Sequence, residues 1–289
     1  MKPLISIITP TYNHEDYIEQ CIESVQGQLR YKNWELLVID DHSSDSTVKL
    51  VRKKMKEDGR IKLIMHKKNW GIFNLGKSYN EALIKSKGDL IAILEGDDYW
   101  PEDKLISQVP LFIKNKKAVL SYGKWNFMSN KGRKIYTRNY HFNGNKLNNI
   151  PMHSIFDLFL TLQFDIASST VLIKKNPLIR IGGFKSHKYY PFVDIPTYLS
   201  LASMGEFVFI DKVLGCYRRA RQSAWIEFAN KSNNMGKEGV RICINDFVSK
   251  HINKSILTQN IISKQDRYLL YRKYTSWMSM VFNYFIAKQ

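Results

Sequence analysis

Short apolar runs alternate with amphipathic stretches along the first half of the chain. The apolar runs are typical of buried strands and lie at residues 4–8, 35–39, 61–65, 90–94 and 119–122. The amphipathic stretches have helical spacing and lie at residues 16–26, 47–55, 75–85 and 102–114. Strands that alternate with helices predict βαβ units and an α/β domain with a mostly parallel sheet.

The second half of the chain has a less regular pattern. Residues 129–151 are rich in Asn, Lys and Gly and predict a long loop. Helices are predicted at residues 154–162 and 194–204, and strands at residues 170–173, 207–210 and 213–217. We therefore expect the main domain to span residues 1–230.

The chain looks helical from about residue 232 onward. Residues 267–288 place aromatic and aliphatic side chains on one helical face and basic side chains around it. Such a helix can lie on an anionic membrane, and the alternative is a terminal helix that packs on the domain. Residues 231–289 are thus predicted to form a C-terminal helical extension.

Polar residues follow three of the predicted strands. Ligands of parallel sheets bind beyond the carboxyl ends of the strands, so these residues predict a binding crevice. A lone Asp-Asp pair is also typical of a turn or a helix cap, and Asp45 or Ser46 is expected to cap the helix that follows. The polar strand ends are Pro10, Tyr12 and Asn13, then Asp40 and Asp41, and then Glu95, Asp97 and Asp98.

The third of these strand ends carries three carboxylates in four residues. Unpaired charge at the end of a buried strand is strongly unfavourable. A hard divalent cation would compensate it, and such cations prefer carboxylate oxygens and substrate phosphates. The cluster at Glu95, Asp97 and Asp98 therefore predicts a metal-diphosphate site.

Net charge and cysteine content restrict the possible partners and compartment. The 289 residues carry a formal charge of +18, which indicates either an anionic partner or a generally basic surface. The three cysteines are far apart and the seven histidines form no spaced metal pair. The first residues enter a strand directly, and no uncharged apolar stretch reaches membrane-spanning length. A cytoplasmic protein is expected, with peripheral membrane contact left open.

Four signatures in order resemble the family 2 glycosyltransferases with a GT-A fold. They lie at residues 7–13, at residues 38–47, at residues 69–71 together with 76–80, and at residues 95–100, and the resemblance covers roughly residues 3–225. It implies a Rossmann-like, mostly parallel sheet flanked by helices. It also implies a nucleotide-diphosphate sugar donor, a UDP-sugar by preference, a divalent metal (Mg or Mn) and an acceptor hydroxyl.

The resemblance also assigns roles to individual residues. Asp41 would accept a hydrogen bond from the nucleobase with Asp40 beside it, and Lys77 would lie near the nucleotide. Asp98 would bind the metal directly, and Asp97 would be a second ligand nearer the ribose or sugar. Glu95 would be solvated or bonded to a neighbouring loop. The base and ribose pocket would be lined by Pro10, Tyr12 and Asn13.

Asp194 stands where the resembling enzymes place their catalytic base. A carboxylate there would deprotonate the acceptor hydroxyl, and direct displacement would invert the anomeric configuration. By position alone Asp194 is equally an N-cap of the predicted helix that it opens.

One segment departs from the family pattern. Members often carry a Tyr-Arg-x-His segment whose histidine helps to bind the metal, and Ala220 stands at that histidine position here. Diphosphate oxygens or water would then complete the metal's ligands. Arg219 and Arg221 would clamp the diphosphate by charge-assisted hydrogen bonds, or else belong to an exposed basic loop.

These features favour an inverting glycosyltransferase in bacterial surface polysaccharide or lipopolysaccharide biosynthesis. Its acceptor would be a glycan or a lipid-linked glycan at the cytoplasmic face of a membrane. A degenerate sugar-nucleotide-binding protein without catalysis is an alternative, as is a metal-dependent phosphohydrolase or nucleotidyltransferase. A nucleic-acid-binding module would not need the acidic crevice, so no nucleic acid is expected as a partner.

Overall fold

The computed structural model describes residues 2–139 and 166–219, and beyond them residues 224, 228, 239, 240, 242–244, 246 and 247. The strands of the described part are β1 (Ile5–Thr11), β2 (Trp34–Asp40), β3 (Ile61–Met65), β4 (Leu90–Ile93), β5 (Ala118–Met128), β6 (Lys134–Arg138), β7 (Leu172–Lys174) and β8 (Glu206–Arg218). Its α-helices are α1 (Ile18–Gln26), α2 (Thr47–Glu57), α3 (Leu75–Lys85), α4 (Lys104–Lys114), α5 (Lys175–Arg180) and α6 (Asp194–Ala202). Short 3₁₀ turns lie at Ile72–Asn74 and Ser168–Thr170.

The strands form one mixed sheet in the order β3-β2-β1-β4-β7-β5-β6, with β8 paired to β5. Strands β3, β2, β1 and β4 pair in parallel, and β8 runs parallel to β5. Strand β7 is antiparallel to both β4 and β5, and β6 is antiparallel to β5. The predicted α/β fold with a mostly parallel sheet flanked by helices is confirmed.

Apolar side chains cover both faces of the sheet, since successive residues of a strand point to opposite faces. One core cluster contains Ile8, Leu37 and Ile91 and packs against α3 and α6. The other contains Ile7 and Leu36 and packs against α1, α2 and α4. Helices on both faces leave the carboxyl edge of the parallel strands open for a site.

Three features of the second half differ from the sequence prediction. Residues 134–138, predicted as loop, form β6. The strands predicted at residues 207–210 and 213–217 are one strand, β8, whose exposed Asp211 and Lys212 interrupt the apolar pattern at a register shift against β5. Helix α5 was missed because it is only six residues long and contains Pro177, which the first helical turn tolerates.

Several predicted elements lie outside the described residues. These are the helix at residues 154–162, the rest of the loop from residue 140 to 151, and the amphipathic helix at residues 267–288. Within the described part, no helix combines the length and the apolar character that crossing a bilayer requires. The boundary between residues 230 and 231 stays a prediction.

The described residues after position 230 pack against the main domain. Val240, Cys243 and Ile244 are buried in the core cluster that contains Tyr190. The Nε2 atom of His187 lies 3.1 Å from Oδ2 of Asp246. This part of the C-terminal segment therefore supports the loop that leads into α6.

Candidate active site

Three polar loops meet at the carboxyl edge of β1, β2 and β4. The N–H of Asp41 donates to the carbonyl of Thr11 at 3.0 Å, and the N–H of Gly96 donates to the carbonyl of Pro10 at 3.0 Å. A Cβ atom at Gly96 would lie 2.6 Å from Oγ1 of Thr11 and 2.7 Å from Nδ1 of His14. Only glycine fits there, so the acidic loop is packed tightly against the loop after β1.

The Asp41 carboxylate is held in one orientation by three contacts. Its Oδ1 lies 2.7 Å from Nδ1 of His66 and accepts from the N–H of Trp70 at 2.8 Å, while its Oδ2 accepts from the N–H of Gly71 at 3.0 Å. The Trp70 ring stacks on the His66 ring at 3.7 Å, and His66 Nε2 lies 3.3 Å from Oε2 of Glu81. A carboxylate has roughly four acceptor positions. One position therefore remains to receive a hydrogen bond from a ligand.

Asp40 and Asn13 build the loops that surround Asp41. The buried Asp40 carboxylate accepts from the N–H of Ser43 at 2.9 Å and from the Ser43 hydroxyl. Asn13 has a positive φ of 53°, and its Oδ1 accepts from the N–H of Ser44 at 2.9 Å. Both side chains are thus occupied with loop structure, and Asn13 joins the loop after β1 to the loop after β2.

The remaining residues predicted for the nucleotide differ in exposure. Pro10 is half-buried near the end of β1, and the side chain of Tyr12 is exposed at the rim of the loop. Lys77 is exposed on α3, near the N-terminal end of that helix. An exposed lysine at this place is free to reach an anionic ligand.

The segment after β8 lies next to the acidic loop. Arg219 donates its backbone N–H to the carbonyl of Met128 at 3.0 Å and is half-buried. Arg221 and Ala220 lie outside the described residues. The diphosphate clamp predicted for Arg219 and Arg221 therefore stays a prediction.

Arg218, which the sequence did not single out, holds the acidic loop. Its backbone N–H donates to Oδ1 of Asp98 at 2.8 Å, and its Nε donates to the carbonyl of Asp97 at 2.9 Å. The buried guanidinium also donates to the carbonyl of Asn130 at 3.2 Å and to Gln20. The signal that could have identified Arg218 was its place in the Tyr-Arg segment at the end of a predicted strand.

Asp98 is the most deeply buried carboxylate of the acidic loop, with 1% of its surface exposed. Burial, with the charges of Asp97 and Glu95 adding to it, raises the pKa of Asp98 well above its usual value. The Oδ2 atom of Asp98 is buried and accepts no hydrogen bond of ordinary geometry within the described part. An interaction with the Ser169 side chain lowers the pKa of Asp98 and so opposes the effect of burial. A buried carboxylate oxygen without a partner is unfavourable unless a cation or donor faces it.

Asp97 is more accessible than Asp98, with 9% exposed. Among the described residues, no group of three or more His, Cys, Asp or Glu side chains is arranged to hold a metal ion. The Asp97–Asp98 pair fits a divalent cation only if phosphate oxygens or water supply the other ligands, as Mg²⁺ accepts.

Glu95 is the first carboxylate of the acidic loop, and its side chain is half-buried. Its Oε1 accepts a hydrogen bond from the Tyr79 hydroxyl at 3.0 Å. Burial, with the charges of Asp97 and Asp194 adding to it, raises the pKa of Glu95 to about 7. Tyr79 and Tyr190, whose hydroxyls bond to Glu95 and Asp194, belong to the same core cluster, so the acidic loop and the start of α6 lie on the same side of the sheet.

Asp194 is the first residue of α6 and is partly exposed. Its Oδ1 accepts from the Tyr190 hydroxyl at 3.0 Å and from the N–H of Ile195 at 2.8 Å. Burial raises the pKa of Asp194, and these two hydrogen bonds oppose the rise. The N-cap position of α6 is Val193, so Asp194 is not the N-cap of this helix, although its carboxylate accepts an N–H of the first turn.

We expect Glu95→Gln to stabilise the protein above neutral pH. Because the folded pKa of Glu95 is about 7 against an ordinary 4.5, stability is lost as the pH rises through 7. Glutamine keeps the acceptor for Tyr79 and removes the charge. The free energy of unfolding should rise on the order of 1–3 kcal/mol at pH 8. At pH 5 the gain should be small, since Glu95 then keeps its proton in the folded state. Urea unfolding at both pH values measures the difference, and an equal gain at both would contradict the raised pKa.

Comparison with known sequences identifies the family. The profile of the family described as Glycosyl transferase family 2 matches residues 6–180, more than half of the chain. The putative teichuronic acid biosynthesis glycosyltransferase TuaG of Bacillus subtilis is 35% identical over 131 residues, which are 45% of this chain and 50% of that protein. The UDP-Glc:alpha-D-GlcNAc-diphosphoundecaprenol beta-1,3-glucosyltransferase WfgD of Escherichia coli is 41% identical over 129 residues, which are 44% of this chain and 47% of that protein. The matches thus span about half the length of these relatives.

Solved structures support the fold. S. aureus TarS 1–349 in complex with UDP-GlcNAc superposes with a TM-score of 0.62 at 16% identity, over 93% of this chain and 79% of that chain. The mannosyltransferase PcManGT from Pyrobaculum calidifontis, in complex with GDP-Man and Mn²⁺, gives a TM-score of 0.59 at 15% identity, over 96% and 84% of the two chains. The family match and the shared GT-A architecture agree with the signatures at the strand ends, and the chain belongs to glycosyl transferase family 2.

Proposed function

We propose that this protein transfers a sugar from a UDP-sugar to a hydroxyl of a glycan or lipid-linked glycan, with inversion, in bacterial surface polysaccharide synthesis. The observation that carries the proposal is that the acidic loop after β4 and Asp194 at the start of α6 are both bonded to side chains of one buried cluster. The Tyr79 hydroxyl donates to Glu95, the Tyr190 hydroxyl donates to Asp194, and both tyrosines belong to that cluster. The acidic loop suits the donor diphosphate, and Asp194 suits the acceptor hydroxyl.

In the proposed reaction Asp194 is the general base. Its carboxylate takes the proton of the acceptor hydroxyl as the acceptor oxygen bonds to the anomeric carbon of the donor. The bond from that carbon to the β-phosphate oxygen breaks, and UDP leaves with its electron pair. A base works best when its pKa lies near the working pH, and the raised pKa of Asp194 moves it in that direction.

Asp97 and Asp98 are the residues that would hold a divalent cation, Mg²⁺ or Mn²⁺. When bound, the cation would stabilise the negative charge that develops on the leaving diphosphate. The buried Oδ2 of Asp98 supports this assignment, since it accepts no hydrogen bond of ordinary geometry from the described residues. The Mn²⁺ in PcManGT is consistent with it. Arg218 holds both residues in place, because its backbone N–H donates to the Asp98 carboxylate and its guanidinium donates to the backbone carbonyl of Asp97.

The donor nucleotide is proposed on the Asp41 side of the crevice. The remaining acceptor position of Asp41 suits an imide N–H such as that of uracil. The exposed Tyr12 lies on the loop after β1, and the exposed Lys77 lies in the first turn of α3. The E. coli relative acts on a diphosphoundecaprenol-linked acceptor with UDP-Glc, which supports the proposed substrate classes. A basic chain of charge +18 suits work at the cytoplasmic face of an anionic membrane.

The proposal is tested with the purified protein and a set of nucleotide sugars. Thermal stability is measured with UDP-Glc, UDP-GlcNAc and GDP-mannose, each with Mn²⁺ and with EDTA. A donor that stabilises the protein is then incubated with GlcNAc-diphosphoundecaprenol, and UDP release and the anomeric configuration of the product are measured. We expect stabilisation by a UDP-sugar, UDP release only with acceptor, and an inverted linkage.

The alternatives give different results in the same experiment. A degenerate binding protein would be stabilised by a UDP-sugar but would release no UDP with a range of lipid-linked and free glycan acceptors. A phosphohydrolase would release product without acceptor, and a nucleotidyltransferase would release pyrophosphate from a nucleoside triphosphate. Any of these outcomes would overturn the proposed transfer.

A further inference from the structure

Two neighbouring residues of α3 contact opposite sides of the crevice. The Tyr79 hydroxyl donates to Glu95 in the acidic loop at 3.0 Å. Its ring lies 5.0 Å from the ring of Phe184, which belongs to the segment that leads towards α6. Asn80, the next residue, is bonded to Phe184 as well. Helix α3 thus links the acidic loop to the Asp194 side.

The Asn80 side chain clamps the backbone of Phe184 with both of its polar atoms. Its Nδ2 donates to the carbonyl of Phe184 at 2.8 Å, and its Oδ1 accepts from the N–H of Phe184 at 2.8 Å. Gly183 has a φ of +81°, and a Cβ atom there would lie 2.2 Å from Oδ1 of Asn80. The loop therefore approaches the amide so closely that only glycine fits at that position.

The clamped loop is bonded in turn to α6. The N–H of Lys185 donates to Oγ1 of Thr197 at 2.9 Å. Thr197 is fully buried, and its own N–H donates to the carbonyl of Val193 at 3.2 Å. Thr197 lies one helical turn beyond Asp194. Hydrogen bonds therefore run from α3 through the loop to the helix that carries the proposed base.

We propose that Asn80 is a positioning residue that sets the place of Asp194 relative to the donor side of the crevice. The inference rests on the proposed function, in which Asp194 must meet an acceptor hydroxyl beside the anomeric carbon. Group transfer is sensitive to such geometry, since a misplacement of about 1 Å can cost on the order of 100-fold in rate. Asn80 itself touches neither the acidic loop nor Asp194 by any hydrogen bond.

Asn80→Asp tests the role with little change in side-chain shape. Aspartate still accepts from the N–H of Phe184, but it has no donor for the Phe184 carbonyl and sets a charged oxygen against it. The matched control is Asn33→Asp, which loses a similar bond of 2.8 Å to the carbonyl of Lys2 on an exposed loop before β2, at the opposite edge of the sheet.

Three measurements are made below the melting temperature of each variant. Calorimetry with UDP and Mn²⁺ gives donor-side affinity, steady-state kinetics with the donor and acceptor found above give kcat and KM, and hydrogen exchange reports on residues 183–199. For Asn80→Asp we expect a kcat lower by about 100-fold, a UDP affinity within about twofold and faster exchange over residues 183–199. The control should match the wild type in all three.

The outcomes separate this inference from the proposed function. If the wild type transfers the sugar and Asn80→Asp has an unchanged kcat, the positioning role alone is refuted. This holds even if the melting temperature of Asn80→Asp is lower. A loss of UDP affinity as large as the loss of kcat would also overturn it, because Asn80 would then act through donor binding. No transfer by the wild type would refute the proposed function first.

Discussion

Asp194→Asn is expected to lower the transfer rate by about 1000-fold, because general-base catalysis contributes roughly 100- to 10,000-fold. Asparagine has the same shape and keeps the acceptor for the Tyr190 hydroxyl and the Ile195 N–H. It cannot take the proton of the acceptor hydroxyl. The affinity for UDP with Mn²⁺ should stay near that of the wild type. Initial rates at saturating donor and calorimetry with UDP measure the two quantities.

The pH dependence of the wild type gives a second test of the same base. Asp194 must be ionised to accept a proton, so activity should rise with pH through the pKa of Asp194. Because burial raises that pKa, the rise should lie at higher pH than for an ordinary aspartate. Tyr190→Phe removes a hydrogen bond that lowers the pKa of Asp194. The variant should therefore gain activity only at a still higher pH. Transfer by Asp194→Asn at the wild-type rate would refute the assignment of Asp194 as the general base.

The meeting of three polar strand ends at one edge of the sheet could be predicted from local sequence. Strand periodicity and the polar residues at strand ends are local signals, and the parallel order of β1, β2 and β4 brings those ends to one edge. The bonds that join Asp41 to Thr11 and Gly96 to Pro10 follow from this arrangement. Local pattern therefore sufficed where the chain builds the site from consecutive βα units.

The contacts that support the acidic loop and the segment before α6 could not be predicted in the same way. Arg218 contacts Asp98 across 120 positions of sequence, and Asn80 contacts Phe184 across 104. Such contacts depend on the insertion of β7 between β4 and β5, which hydrophobic periodicity does not encode. Periodicity specifies which face of an element is buried, whereas partners are decided by tertiary packing.

His66 illustrates a signal that was present but not used. It follows β3 directly, at the same edge as Asp41, so the strand-end rule that selected Asp41 applies to it as well. The structure places His66 Nδ1 2.7 Å from the Asp41 carboxylate. His66 is buried beneath the Trp70 ring and contacts the candidate nucleobase residue from the protein side.

Asp98→Asn should distinguish the destabilisation that the buried Asp98 carboxylate causes from its role in binding a cation. In EDTA we expect the variant to be more stable than the wild type at pH 8, since the raised pKa of Asp98 reflects a carboxylate that is unfavourable when ionised. Asparagine keeps an acceptor for the N–H of Arg218 and removes the charge. Melting temperatures in EDTA for the variant and the wild type measure this effect.

The same change should abolish the effects of the cation. Transfer should fall by about 1000-fold, because stabilisation of the leaving diphosphate by a bound metal is worth several kcal/mol. The rise in melting temperature that Mn²⁺ with UDP gives the wild type should be largely lost. Asp97→Asn is the companion variant: it should lose the Mn²⁺ effect too, but with a smaller gain in EDTA, since Asp97 is the more exposed of the pair. A variant Asp98→Asn that keeps the full response to Mn²⁺ would show that the buried oxygen faces no metal, and the ligand role would then pass to Asp97 alone.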